Sequence, residues 1–125
     1  MLFRKRVKSN IEKTIRECGL VATVVICSNG NILVGGDIQA WIRLTEIPTR
    51  KGIVNQVDVN NIMILHQRRG TFTRLMKNLA SLNTVNHIVI TSVSTEEMHN
   101  WCKKNKCSVY EVDLRGYPLS YQYKP

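Results

Sequence analysis

The residues Gln67-Arg68-Arg69-Gly70-Thr71-Phe72 lie between a strand-like apolar run, Ile62-Met63-Ile64-Leu65, and a segment with Phe72, Leu75, Met76, Leu79 and Leu82 at helical spacing. That order sets a basic, glycine-containing turn at the start of a helix. The first turn of a helix leaves backbone N–H groups without intrahelical partners and carries the positive end of the helix dipole. Arg68, Arg69 and Arg74 add charge of the same sign, so the turn suits an anion, and a pyrophosphate fits such a place. The competing reading is a tight strand-to-helix connection with hydrated arginines, which a lone glycine favours. Neither G-x-x-x-x-G-K-S/T nor G-x-G-x-x-G occurs, so P-loop kinase and dinucleotide-binding readings lose support.

Other side chains with chemical potential are scattered. Asp58 sits between Val57 and Val59 on an expected central strand, where a carboxylate must be solvated, paired or functional. His66 immediately precedes the basic turn, and a hydrogen-bonded structural histidine is the plainer reading of it. The four cysteines, Cys18, Cys27, Cys102 and Cys107, form no C-x-x-C pair and share no zinc-ligand spacing with His66, His87 or His99. They read as reduced thiols, Cys18 and Cys27 on apolar faces.

The elements that must position these residues follow from pattern. A chain of 125 residues with 43% hydrophobic content forms one domain, spanning 1–125. Ser9-Asn10-Ile11-Glu12 reads as a capping box, and Ile11, Ile15 and Cys18 recur at helical spacing, predicting a helix near 9–18 closed by Gly19. Leu20 to Cys27 and Ile32 to Val34 flank an Asn29-Gly30 turn as a hairpin, with Gly35-Gly36 as a bulge or bend. Ile38, Ala40, Ile42 and Leu44 alternate with polar partners along a strand ended by Pro48. Residues 49–52 are expected to be a mobile loop, and 53–65 returns as the central strand. After the helix, 87–93 reads as a buried parallel strand reached by a right-handed crossover. Ser94-Thr95-Glu96-Glu97 caps a helix with Met98, Trp101 and Cys102 inward, and Arg115-Gly116 turns a final hairpin.

Eighteen Lys and Arg against nine Asp and Glu give a net charge of +9, which favours anionic partners: a phosphorylated cofactor, nucleic acid or an acidic protein. The competing reading is ordinary solubilising charge. No apolar run approaches bilayer-spanning length and Met1 to Arg6 leads into polar helix rather than a signal peptide. A soluble, cytoplasmic protein without membrane association is the expectation.

The order helix, antiparallel strands, central strand, basic glycine turn, helix, strand, helix and terminal strands resembles the GNAT superfamily of acetyl-CoA-dependent N-acetyltransferases. The family's cofactor signature is Gln or Arg, two variable residues, Gly, one variable residue, then Gly or Ala, commonly with a Leu three positions on. Gln67, Gly70 and Leu75 match, whereas Phe72 stands where a small residue is usual and must turn into the core or narrow the site. The resemblance runs through most of 9–123 in element order, with 67–75 as its motif. It implies an α/β fold, a central mixed sheet of about six strands flanked by three helices.

It also implies that the amides of Arg68, Arg69, Gly70, Thr71, Phe72 and Thr73 bind the coenzyme A pyrophosphate and that the strand end near Ile64 and Leu65 pairs with pantetheine. The family's N-x-x-A-x-x-x-Y pattern, laid on Thr95, Met98 and Cys102, does not match. Its acid must then be replaced, and Cys102, Tyr110 and Tyr121 are the candidates; for Cys102, packing is the plainer reading. Asp58 and Glu46 are the base candidates, Glu46 reading more simply as a surface charge. The chain is short for the family and no strand precedes its first helix, which implies an acceptor side left open or completed by another chain, as in a homodimer. The implied function is direct acetyl transfer from acetyl-CoA to an amine. The alternative is a worn GNAT-like binding protein of viral or mobile-element type that grips nucleic acid or a host protein through its basic surface.

Overall fold

Two long strands, β3 (Ile38–Thr49) and β4 (Gly52–Ile64), form the centre of the structure, a computed structural model. They follow α1 (Leu2–Glu17), β1 (Val21–Ile26) and β2 (Ile32–Gly36). Beyond them come α2 (Thr71–Ala80), β5 (His87–Ile90), α3 (Glu96–Lys104), β6 (Ser108–Val112) and β7 (Pro118–Tyr123). The structure describes residues 2–17, 21–26, 32–36, 38–64 and 70–124, with side chains at 9–17, 40–60, 70 and 72–124. The Asn29-Gly30 turn, Cys18, Cys27 and positions 65–69 lie outside the described residues.

The strands form one sheet in the order β1-β2-β3-β4-β5-β7-β6, seven strands rather than about six. Every pair is antiparallel except β4 with β5. Register assigns the faces. Ala40, Ile42, Leu44, Val57, Val59, Ile88, Ile90, Tyr121 and Tyr123 point one way and are buried. The two crossovers, β4-α2-β5 and β5-α3-β6, advance in the same direction, so with the usual right hand both helices cover that face. Ile11 and Ile15 of α1, Leu75, Met76 and Leu79 of α2, and Met98 and Cys102 of α3 complete the core. Each fully buried aliphatic side chain contributes about 1.5–3 kcal/mol.

Five local expectations change. Helix α1 starts at Leu2, not near Ser9, because Leu, Arg and Lys are good helix formers. Glu12 therefore sits mid-helix and pairs with Arg16 at 2.9 Å instead of closing a capping box. Strand β3 runs through Pro48 to Thr49, with Pro48 opposite Ile53. Among the described residues β2 pairs with β3 at Ala40, Trp41 and Ile42, so Pro48 lies on an edge where a missing N–H is tolerated. The expected mobile loop at 49–52 is a tight turn: the Thr49 hydroxyl donates to the Gly52 carbonyl at 2.6 Å, and Gly52 has φ 121°. The irregularity expected at Gly35-Gly36 lies in their partner strand, between Val21 and Thr23 of β1. Strand β5 ends at Ile90 rather than near 93.

Candidate functional site

Strands β4 and β5 run together for a short distance and then part. Their rungs join Gln56, Val57, Asp58 and Val59 to His87, Ile88, Val89 and Ile90, and the Thr91 N–H closes on the Val59 carbonyl at 2.9 Å. Two features open the fork. Between the β3–β4 pairs Gln39–Met63 and Trp41–Asn60, β4 advances one residue more than β3, a bulge at 61–62 that bends β4 just past its last rung with β5. On the other side Ser92 takes φ 55°, and the Val93 N–H then reaches the Leu119 carbonyl of β7 at 3.0 Å. Strand β5 therefore turns after β7 while β4 continues to Ile64 with β3, leaving its 60–64 edge without a β5 ladder. At the apex the Thr91 hydroxyl is buried and, among the described residues, has no hydrogen-bond partner.

Above the fork stands the start of α2. Gly70 precedes the helix at φ 68°, ψ 15°, and nothing lies within 4 Å of where its Cβ would be, so the left-handed backbone rather than crowding calls for glycine there. The first helical bond is Arg74 N–H to the Gly70 carbonyl at 2.9 Å. Among the described residues no side chain caps the helix, and its first turn holds no acid, so the amides of Thr71, Phe72 and Thr73 face outward at the positive end of the dipole. A pocket of about 360 Å³ lined by Gly70, Thr73, Arg74, Lys77 and Asn78 opens beside them.

Phe72 turns inward. It is 3% exposed and meets Trp101 edge-on, with ring centroids 4.6 Å apart. The Trp101 indole N–H donates to the Thr73 hydroxyl at 3.0 Å, so α3 holds the first turn of α2 from its core side. That tie joins residues far apart in sequence; the one hint of it is a half-apolar tryptophan on α3 whose N–H needs an acceptor.

Asp58 lies on the opposite sheet face from Val57 and Val59, one residue below the fork. Its two oxygens accept from the Thr45 hydroxyl at 2.9 Å and the Gln56 amide at 2.9 Å, so the carboxylate is held in one orientation. Glu46 is half-buried on β3 opposite Asn55. Cys102 is buried, and its hydrogen bond to the Cys107 thiol, then burial, push its own thiol up; the same bond pulls Cys107 down. Tyr110 is exposed at an irregularity of β6, an outer strand separated from β5 by β7, and is not brought to the fork. Tyr121 is the tyrosine beside it: opposite Ile90, 2% exposed, its hydroxyl 2.9 Å from His99 Nδ1. Burial, then the nearby Cys102 and Cys107 thiols, push its phenol up. Leu65, His66, Gln67, Arg68 and Arg69 lie outside the described residues, and Ile64 and Thr71 are described in backbone alone.

No family model matches the chain, and no curated protein matches it in sequence. Solved structures do match. A mutant AtaT toxin bound to the C-terminus of the antitoxin AtaR and acetyl-CoA aligns with TM-score 0.50 and 7% identity, over 74% of this chain and 64% of that one. The chain thus spans less than two thirds of the toxin's length. Arabidopsis thaliana Naa50 in complex with the bisubstrate analogue CoA-Ac-MVNAL aligns with TM-score 0.43 and 16% identity, over 74% of this chain and 69% of that one. The fold is GNAT-like, a mixed α/β sheet with three helices, as the element order implies. Among the described residues no helix is long and apolar enough to cross a membrane.

Proposed function

We propose that the chain is an N-acetyltransferase that moves an acetyl group from acetyl-CoA directly to an amine. The fork carries this reading: a bulged β4 edge and, among the described residues, an unpartnered Thr91 hydroxyl at its apex and an uncapped helix start above it. The acetyl-CoA in the AtaT toxin structure supports it at the level of the fold. The residues present fit the group. Gly70, Thr71, Phe72 and Thr73 offer amides to the pyrophosphate, with Arg74 and Lys77 as counter-charges; Gln67, Arg68 and Arg69 are candidates for it from the sequence alone. Trp101 donates to the Thr73 oxygen and so orients that hydroxyl at the helix start. Ile64 ends the strand edge proposed to pair with pantetheine, and Leu65 follows it in the sequence. When bound, acetyl-CoA supplies an activated acyl thioester.

The chain supplies proton handling. Asp58, held by Thr45 and Gln56, takes a proton from an amine that approaches from the face away from the helices. Tyr121, backed by His99, holds a proton on the helix side, a role for which neither the buried thiol of Cys102 nor the outlying Tyr110 is placed. A backbone N–H of the bulge is the donor for developing negative charge on oxygen. Calorimetry tests the first step: wild type is expected to bind acetyl-CoA in the micromolar range, and the double variant Arg74→Glu, Lys77→Glu, changed at exposed positions, to lose that binding. A folded wild type that does not bind overturns the reading. With an acceptor in hand, Asp58→Asn is expected to lower kcat by about 10²–10⁴-fold while leaving acetyl-CoA affinity intact.

One observation favours a second reading. The Phe72–Trp101 contact and the Trp101–Thr73 hydrogen bond draw α2 and α3 together, and the chain carries +9. A worn scaffold that binds nucleic acid or a host protein is consistent with both. Affinity for nucleic acid that falls linearly in log–log salt, without acetyl-CoA binding, selects it.

A further inference from the structure

The far end of α3 brings two thiols together. Its last turn closes in a Schellman arrangement: the Lys106 N–H reaches the Lys103 carbonyl at 3.2 Å, and the Cys107 N–H reaches the Cys102 carbonyl at 2.9 Å. Lys106 takes the left-handed conformation that this ending requires, φ 56°, where glycine or asparagine is usual. The Asn105 side-chain amide fastens the turn by donating to the Trp101 carbonyl at 2.8 Å. Ordinary backbone dimensions then hold the Cα atoms of Cys102 and Cys107 within about 6.8 Å, inside the span of a disulfide. Such an ending commonly sets an apolar contact between these two positions. Here both are cysteine, and the two thiols share a hydrogen bond.

The two sulfurs have different surroundings. Cys102 is buried in the core beside Tyr121, whereas Cys107 is only partly covered at the edge of that core. Their hydrogen bond has a direction: the Cys102 S–H donates to the Cys107 sulfur, which draws the outer thiol toward thiolate. Helix α3 presents the negative end of its dipole there, and the exposed Lys103, Lys104 and Lys106 set positive charge against it. The outer sulfur is the one that a reagent from solvent meets, and the inner one stands behind it with a proton to give. An apolar contact alone is filled as well by a pair of aliphatic residues, and it does not call for two ionisable groups of opposite tendency.

We propose that Cys107 and Cys102 form an oxidisable pair that a hydroperoxide converts to a disulfide across the end of α3. The Cys107 sulfur attacks a peroxide oxygen, the O–O bond breaks, and an alcohol, or water from hydrogen peroxide, leaves with the proton; Cys107 becomes a sulfenic acid. The Cys102 sulfur then attacks the sulfenic sulfur. The S–S bond forms, the S–O bond breaks, and the departing hydroxyl takes the Cys102 proton and leaves as water. Two thiols are oxidised by two electrons in all, and one hydroperoxide is reduced. The inference does not depend on acetyl transfer.

Trypsin gives a direct readout, because Lys103, Lys104 and Lys106 lie between the two cysteines and cleavage leaves them on separate peptides, 78–103 and 107–115. After brief exposure of the folded protein to hydrogen peroxide and blocking of the remaining thiols, mass spectrometry is expected to find these two peptides joined and lighter than their sum by two hydrogens. The link is expected to form about tenfold or more faster in the folded protein than in the same chain in concentrated urea, where the paired geometry is lost. In Cys102→Ala the sulfenic acid on Cys107 is expected to persist and to be trapped by dimedone, and in Cys107→Ala the Cys102 thiol is expected to stay reduced. A folded wild type that yields no joined peptide overturns the inference. So do equal rates in the folded and unfolded chains, a disulfide that pairs Cys107 with Cys18 or Cys27 instead, and a dimedone adduct on Cys102 rather than Cys107.

Discussion

Helices α2 and α3 both begin where a parallel strand of the sheet ends, yet their first turns are built in opposite ways. Thr95 precedes α3 with extended backbone, φ −101° and ψ 147°, and its hydroxyl accepts from the Met98 N–H at 3.2 Å. Glu96 and Glu97 add negative charge to that first turn, so α3 meets its own dipole with its own residues. Helix α2 has a left-handed glycine in place of a capping side chain, no acid, and Arg74 and Lys77 along its exposed side. One start is closed by the chain; in the other, among the described residues, neither a side-chain cap nor an acid meets the dipole. Since both lie at the same end of the sheet in a protein of +9, the difference supports α2 as the proposed binding end.

The comparison breaks most severely if α2 loses its anchor. Phe72→Ala removes a side chain that is 3% exposed and packed on Trp101, and is expected to cost about 3–5 kcal/mol in denaturant unfolding. A small loss would mean that the first turn is not held from the core side. Next in size, Gly70→Asp gives α2 the negative start that α3 has. Acetyl-CoA affinity measured by calorimetry is expected to fall about 100-fold, near 2.8 kcal/mol. Gly70→Asn, which tolerates φ 68° without bringing charge, is the control and is expected to lose less than about tenfold. Equal losses in the two variants would assign the effect to backbone and remove charge from the explanation.

Much of this frame is legible in the sequence. Val57 and Val59 around Asp58, followed by the apolar run to Leu65, place β4 centrally, and Thr95 with Glu96 and Glu97 marks the start of α3 within a residue. The fork is not legible, for a physical reason. In Ile62-Met63-Ile64 every residue is apolar, so the alternation that would betray an extra residue at 61–62 is absent. Ser92 carries no sign of its φ of 55°, because the conformation is imposed when β5 leaves β4 to follow β7. The pairings Trp101 with Thr73 and His99 with Tyr121 are tertiary, and no local pattern encodes them. Pro48 shows the converse: a strong local signal for ending a strand is overridden where one strand edge is free.

The smallest effect is the sharpest test of how separate the two starts are. Thr95→Ala deletes the hydroxyl that accepts from Met98 and is expected to cost about 1 kcal/mol of stability, with Glu96 and Glu97 still facing the dipole. If α2 alone receives the anion, acetyl-CoA affinity measured by calorimetry stays at its wild-type value while the thermal midpoint falls. The physical route for any other result is short. Trp101 lies one turn and a half along α3 from Thr95, and its indole holds Thr73 in the first turn of α2. A loss of affinity in step with stability would therefore mean that loosening α3 releases Thr73, and Trp101→Phe, which keeps the ring and removes the N–H, would reproduce that loss without touching the cap.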